Sequence, residues 1–242
     1  MARTQQVSAR QAEFQMRLRD LAERAGTGAG PRLEQPGQLG PYMTVSRQVD
    51  SGGAEVARLV GLRLGWAVFD KELVESLAER LKLTPEMLEL LDEKRSDWFT
   101  DTMLNLMNSR LVLQDSYVSL MGKLMHLAAY DGKVIFVGRG SHLLLPPGTG
   151  LKVRVIAPRD ARLARFRERE GTSAEEAGRR VDALEESRVD FLRRHFRRDP
   201  EDPTQFDLVI DSTIFGIEGC VELVCRALEL RGLVKPGQFD TG

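Results

Sequence analysis

The sequence predicts an α/β fold in which a parallel sheet is covered by helices. Three observations predict it. From Tyr42 onward, short β-rich runs alternate with longer helical stretches, the pattern of crossover connections between parallel strands. The stretches after the first two runs carry apolar residues on one face, Val56, Leu59, Val60 and Leu64 in one and Leu73, Leu77 and Leu81 in the other. A small-residue loop, Ser51-Gly52-Gly53, leads straight from the first run into the first helix, and such turns can bring backbone N–H groups to a phosphate. With 242 residues, 42% of them hydrophobic, the chain can form one large domain or two small ones and bury a sizeable core.

The elements follow in order. Residues 1–25 have helix-forming composition with Phe14, Leu18 and Leu21 on one face, and the glycine- and proline-rich stretch from Gly26 to Gly40 reads as a linker. Residues 1–40 are thus expected to be an N-terminal helix plus flexible linker, 41–235 the main domain and 236–242 a tail. Five strands are expected, over Tyr42–Ser46, Trp66–Phe69, Lys133–Val137, Leu151–Ile156 and Phe206–Ile210. Thr84-Pro85-Glu86 has the cap, first-turn proline and early acid of a helix start. More than sixty residues separate the second and third strands, too many for one crossover helix, so about 84–130 is expected to be a mostly helical insertion. Its Met103, Leu104, Met107, Leu111, Leu120, Leu124 and Leu127 support long amphipathic helices. Ser173-Ala174-Glu175-Glu176 is a capping box that opens another long helix.

Composition excludes several classes of function. Thirty-five basic residues face 36 acidic ones for a net charge of -1, so no nucleic-acid partner is expected. Apolar runs fall short of the roughly 18 residues of a membrane span, and Arg10, Arg17, Arg19 and Asp20 break any signal-peptide core. Cys220 and Cys225 match neither a zinc pattern nor CxxC. A soluble cytoplasmic protein without a protein-bound metal is expected. Of the cations, 28 are Arg and only seven Lys, which favours planar recognition of phosphate and carboxylate but also fits codon bias.

The first strand runs through Ser46-Arg47-Gln48-Val49-Asp50-Ser51-Gly52-Gly53 into a helix. Laid on GxxxxGK[ST], Arg47 takes the first glycine, Gly52 the second, Gly53 the lysine and Ala54 the hydroxyl residue. Arg47 can replace the missing lysine from another direction. Asp50 fits poorly, because a carboxylate in a phosphate cradle repels the ligand. Asp70 ends the second strand, either as the cap of the next helix or beside a ligand at the sheet's C-terminal edge. Arg139, in Val137-Gly138-Arg139-Gly140, can clamp a phosphate or form a surface ion pair. His142 reads as a packing or polar-rim histidine. Arg162, Arg165 and Arg169 can share one helical face while Leu163 and Phe166 turn inward; a solvated face and a lid both fit. Further along lie Arg188, Asp190, Arg193, Arg194, Arg197 and Arg198.

Residues 42–231 resemble the cytidylate kinase-like family of P-loop nucleoside monophosphate kinases. The resemblance is carried by TVSRQVDSGGAEVARLVGLRLGWAVFDKELV, KVIFVGRGSHLLLP, VRVIAPRDARLARFRERE and FDLVIDSTIFGIEGCVELVCRAL. It implies a three-layer P-loop kinase fold, with a five-stranded parallel sheet of order 2-3-1-4-5, the helical substrate insertion and an Arg-rich lid over about 158–198. It also implies ATP as co-substrate, Mg2+ held mainly by nucleotide phosphates, and a nucleoside monophosphate acceptor, CMP- or dCMP-like. Ser46, Arg47, Gln48, Ser51, Gly52 and Gly53 would then hold the donor phosphates, with Arg47, Arg162 and Arg165 stabilising the transferring charge. Asp70, Arg139, Arg188 and Arg193 would hold the acceptor, and Asp211-Ser212-Thr213 would lie beside the adenine, where Ser or Thr can also cap the last helix. The SRQ followed by SGG is the family's own form of the loop; Asp50 and Ala54 depart from it, where a glycine and often an arginine stand. Gly140 replaces the aspartate of cytidylate kinases proper, so cytosine selectivity does not carry over. Gly53, Ala54 and Asp50, measured against the P-loop pattern, leave a second expectation, a catalytically impaired nucleotide-binding or regulatory protein on the same fold.

Overall fold

Strand β1, Tyr42–Arg47, lies at the centre of a five-stranded parallel sheet. A computed structural model describes residues 39–70, 116–138, 140–146 and 148–238, with short stretches among residues 4–16, all of them helical. The elements are β1, helix α1 (Gly53–Leu64), β2 (Ala67–Phe69), α2 (Ser116–Asp131), β3 (Val134–Val137), α3 (Ser141–Leu144), β4 (Gly150–Ile156), α4 (Arg159–Glu170), α5 (Ala174–Phe196), a 3-10 turn (Pro203–Gln205), β5 (Leu208–Asp211) and α6 (Ser212–Leu230). Strand order is β2-β3-β1-β4-β5, with β1 paired to β3 through Thr44 and Phe136 and to β4 through Ser46 and Arg154. This is the order expected for the P-loop kinase fold.

The pleat sorts the sheet's two faces. Met43, Val45, Ile135, Val137, Leu151, Val153, Val155 and Ile210 form one core cluster with Val56, Val60 and Leu64 of α1 and Val221, Val224 and Leu228 of α6. Burying a side chain of this size contributes roughly 1.5–3 kcal/mol, so this face anchors the domain. Thr44, Ser46 and Arg154 alternate with those residues and belong to the opposite face. The α4–α5 pair has its own small core, in which Phe166, Ala177 and Val181 enclose Val49 of the loop after β1, with Leu163 packed against it.

Local chemistry sets the element ends. Gly65, in the left-handed region at φ 67, terminates α1 and hands the chain to β2. Ser173 caps α5 by accepting from the Glu176 N–H at 3.2 Å, as its capping box predicts. Asp211, rather than the following Ser or Thr, caps α6 by accepting from the Thr213 N–H at 2.8 Å and its hydroxyl at 2.7 Å. The last strand begins at Leu208 and not at Phe206, because the Pro203–Gln205 turn and the stacking of Phe206 on His142 hold Phe206 outside the sheet. The insertion is helical over Ser116–Asp131; the earlier part expected at 84–115 and the helix carrying Leu73, Leu77 and Leu81 lie outside the described residues. Among the described residues no helix is long and apolar enough to cross a membrane.

Packing of α1 against β2 yields a prediction. A Cβ at Gly61 would lie 2.5 Å from Val68 Cγ2 and 3.1 Å from the Trp66 carbonyl oxygen. Alanine adds about 1 kcal/mol of helix propensity, but overpacking costs roughly 1–3 kcal/mol and the backbone oxygen cannot swing aside. Gly61→Ala should therefore lower the stability measured by denaturant unfolding.

Candidate functional site

The loop between β1 and α1 is tied down by its own polar groups. The Gln48 N–H donates to the Val155 carbonyl at 3.2 Å, and Gln48 Oε1 accepts from the Ala157 N–H at 3.0 Å. The buried Ser51 hydroxyl lies 3.0 Å from the Gln48 carbonyl and 2.9 Å from that of Val155, which commits it to the turn. Asp50 and Gly52 both have left-handed backbone, at φ 54 and φ 85. Aspartate tolerates that region better than most residues. At Gly52, a Cβ would also strike Ile217 of α6.

Gly52 is the N-cap of α1 and offers no side chain to cap it. The first N–H groups of an α-helix have no partner within the helix, so the start of α1 combines N–H donors with the positive end of its dipole, an arrangement suited to an anion. Gly53 explains why the P-loop lysine is missing. A Cβ there would lie 2.6 Å from Arg47 Cβ and 3.1 Å from Val155 Cβ, leaving no room for a side chain while Arg47 occupies the turn.

Three arginines of α4 form the one-sided strip that the sequence predicts, and the strip rests on this loop. Nearly buried, Arg162 donates through Nε to the Ala157 carbonyl at 3.1 Å and through Nη1 to the Val49 carbonyl at 3.5 Å and the Glu185 carboxylate at 3.0 Å. Arg165 Nη1 reaches the Asp50 carbonyl at 3.3 Å and Ser212 Oγ at 2.9 Å. Arg169 pairs with the Asp50 carboxylate and lies over the Phe166 ring at 5.1 Å. Glu185 also accepts from the Val49 N–H at 2.5 Å, so α5 holds the loop from the other side. Burial raises the Asp50 carboxyl above the ordinary aspartate range although Arg169, Arg188 and Arg165 pull it down.

Beside the loop, a cavity of ≈ 720 Å³ opens between the C-terminal ends of β1, β3 and β4 and helix α5. Its walls include Arg47, Gly138, His142, Arg154, Arg188 and Glu201. Arg47 lies so close over Gly138 that a Cβ there would collide with its guanidinium. Arg188 Nη1 donates to the Arg47 carbonyl at 3.2 Å, and burial lowers its pKa against the opposing influence of Glu185 and Asp50. Only 6% exposed, Arg154 donates to Ser46 Oγ at 3.3 Å and Glu201 at 2.6 Å and lies 5.5 Å from the Phe206 ring centre.

The sequence-derived residues divide accordingly. Ser46, Arg47, Gln48, Ser51, Gly52 and Gly53 lie along the end of β1, the turn and the start of α1, with Arg162, Arg165 and Arg188 bonded to this segment. Arg193 is exposed on α5, outside the cavity wall that its neighbour Arg194 helps to line. Asp70 is exposed at the end of β2 and is not part of that wall. Arg139 lies outside the described residues. Sequence reasoning missed Glu185 and Arg154; a cation alternating with Val153 and Val155 in an apolar strand was the available signal for the latter. The described residues contain no group of three or more side chains able to hold a metal ion, Ala54 offers no hydroxyl, and Asp50 faces arginines. These residues do not form a protein seat for Mg2+.

Residues 42–214 match the cytidylate kinase-like family. A cytidylate kinase from Methanopyrus kandleri is 34% identical over 111 residues, a match that takes in 42% of this chain and 58% of that protein. The chain thus spans little more than half the length of this relative. An uncharacterized protein from Eubacterium ventriosum superposes with a TM-score of 0.58 at 15% identity, over 79% of this chain and 99% of that one.

The cavity also carries a pH dependence. Burial lowers the His142 imidazole to about 3; Lys152 and Arg154 push the same way and the Gln205 side chain opposes them. Neutral when folded, His142 takes up a proton on unfolding below about pH 6.5, so its contribution to stability is lost as pH falls through that value. Between pH 7 and pH 5 the native chain should lose about 2 kcal/mol more than a His142→Gln variant in denaturant unfolding. Parallel losses would contradict this assignment.

Proposed function

Because the chain belongs to the cytidylate kinase-like family, we propose that it transfers a phosphoryl group from ATP to a nucleoside monophosphate, with a CMP- or dCMP-like acceptor. The observation that carries the reading is the uncapped start of α1 at Gly52, with Arg165 at the turn and Arg47 in both the turn and the cavity wall. The N–H groups at the start of α1, from Gly52 and Gly53 onward, hold the donor phosphates, while Ser46, Arg47, Gln48 and Ser51 shape the turn that presents them. Arg47, Arg162 and Arg165 surround the loop with fixed positive charge, which lowers the cost of bringing two phosphorylated molecules together. Arg139 and Arg188 hold the acceptor phosphate, and Asp70 and Arg193 act farther out on the acceptor.

Phosphoryl transfer needs positioning and charge stabilisation far more than covalent help. An acceptor phosphate oxygen bonds to the γ-phosphorus as the bond to the bridging β-γ oxygen breaks, and the electron pair leaves with ADP. Mg2+, held by the nucleotide phosphates rather than by this chain, would neutralise part of their charge. The chain's own part is to align the two ligands on either side of Arg47 and exclude competing geometries.

A second reading, binding or regulation without turnover, is favoured by Gly53, which has no room for a lysine, and by the engagement of Arg162, Arg165 and Arg169 with the loop. Formation of ADP from ATP with each common monophosphate separates the two. Turnover is expected with at least one monophosphate, CMP and dCMP among those tested. Thermal stabilisation by nucleotides with no turnover for any acceptor would establish the second reading. If turnover occurs, Arg188→Ala should raise the acceptor KM about 10–100-fold, the loss of one charge-assisted hydrogen bond, and leave the ATP KM within about threefold.

A further inference from the structure

The turn that is suited to an anion already contains one. Around the start of α1 stand the uncapped helix N-terminus, the Arg165 guanidinium donating to the Asp50 carbonyl, and Arg169 paired with the Asp50 carboxylate. The Asp50 side chain is 9% exposed, and its Oδ2 is buried with no hydrogen-bond partner. An isolated carboxylate in such a place costs several kcal/mol, so its retention requires compensating charge, which Arg169, Arg188 and Arg165 supply. A divalent cation is a poor alternative partner, because Arg165, Arg169 and Arg188 all act on this carboxyl and would repel it.

We propose that Asp50 is the resident anion of the donor-phosphate turn, a carboxylate that incoming phosphate must displace from Arg169 and that thereby sets the turn's affinity and its preference for highly charged phosphates. This rests on the reading of residues 46–53 as a phosphate cradle. One carboxylate charge is outcompeted by the several charges of a triphosphate chain, and much less readily by a singly charged anion. Asp50 thus raises the threshold for occupancy and keeps Arg169 against the loop until a polyphosphate arrives. The glycine that the resemblance leads one to expect at this position would carry no such competitor.

Titration calorimetry with sodium tripolyphosphate, free of divalent cations, tests the proposal on the full chain. Asn tolerates left-handed backbone as well as Asp does, so Asp50→Asn removes the charge and keeps the turn. Removing one repulsion between charges at this range should tighten tripolyphosphate binding about tenfold, and Asp50→Gly, which matches the family's residue, should tighten it to a similar degree. Equal or weaker binding by both variants, with the native chain still binding, overturns the role of Asp50 and leaves the phosphate cradle standing. No binding by the native chain or either variant, each folded by circular dichroism, overturns the cradle and this inference together.

Discussion

Everything near the candidate site depends on how the chain holds the turn from Gln48 to Gly52. A turn with two left-handed residues next to a helix N-terminus gains little from local propensity, so its shape must come from partners elsewhere. Helix α4 supplies them. Arg162, Arg165 and Arg169 reach the Val49 carbonyl, the Asp50 carbonyl and the Asp50 carboxylate in succession, and the i, i+3, i+7 spacing lets one helical face meet consecutive loop residues. Val49 seals the contact by packing into the α4–α5 core. The shape of the turn and the seating of α4 are one structural problem with one solution.

The same constraint links the two halves of the site. Arg47 is the last residue of β1, its carbonyl accepts from Arg188 of α5, and its side chain fills the space that a residue larger than glycine at 53 or 138 would take. A permanently charged planar cation therefore stands where the turn meets the cavity. Glu185 adds a counter-charge that joins the turn to both α4 and α5. The excess of arginine over lysine has a structural use here, since Arg162 divides its donors among two carbonyls and a carboxylate, which a lysine's single nitrogen could not span.

Much of the fold was legible in the sequence because it rests on local periodicity. The alternation of apolar runs located all five strands, and Val56, Val60 and Leu64 share the core cluster on α1 that their spacing implied. The strip of Arg162, Arg165 and Arg169 was legible for the same reason, although its direction was not: spacing shows that residues share a face and says nothing of what the face meets. Contacts between distant segments were the least legible. Glu185 binds Val49 across 136 positions and Arg154 reaches Glu201 across 47, and no local pattern marks either acid. Asp50 was visible as an anomaly, but its pairing depended on where α4 settled.

A crystal structure of the chain with ADP would test the proposed anion-binding turn at the start of α1, framed by the arginine strip. The β-phosphate is expected against the N–H groups of Gly52, Gly53 and Ala54, with Arg47 alongside and Arg169 drawn away from Asp50. Nucleotide bound elsewhere, with the Arg169–Asp50 pair intact and the turn holding no phosphate, would contradict it.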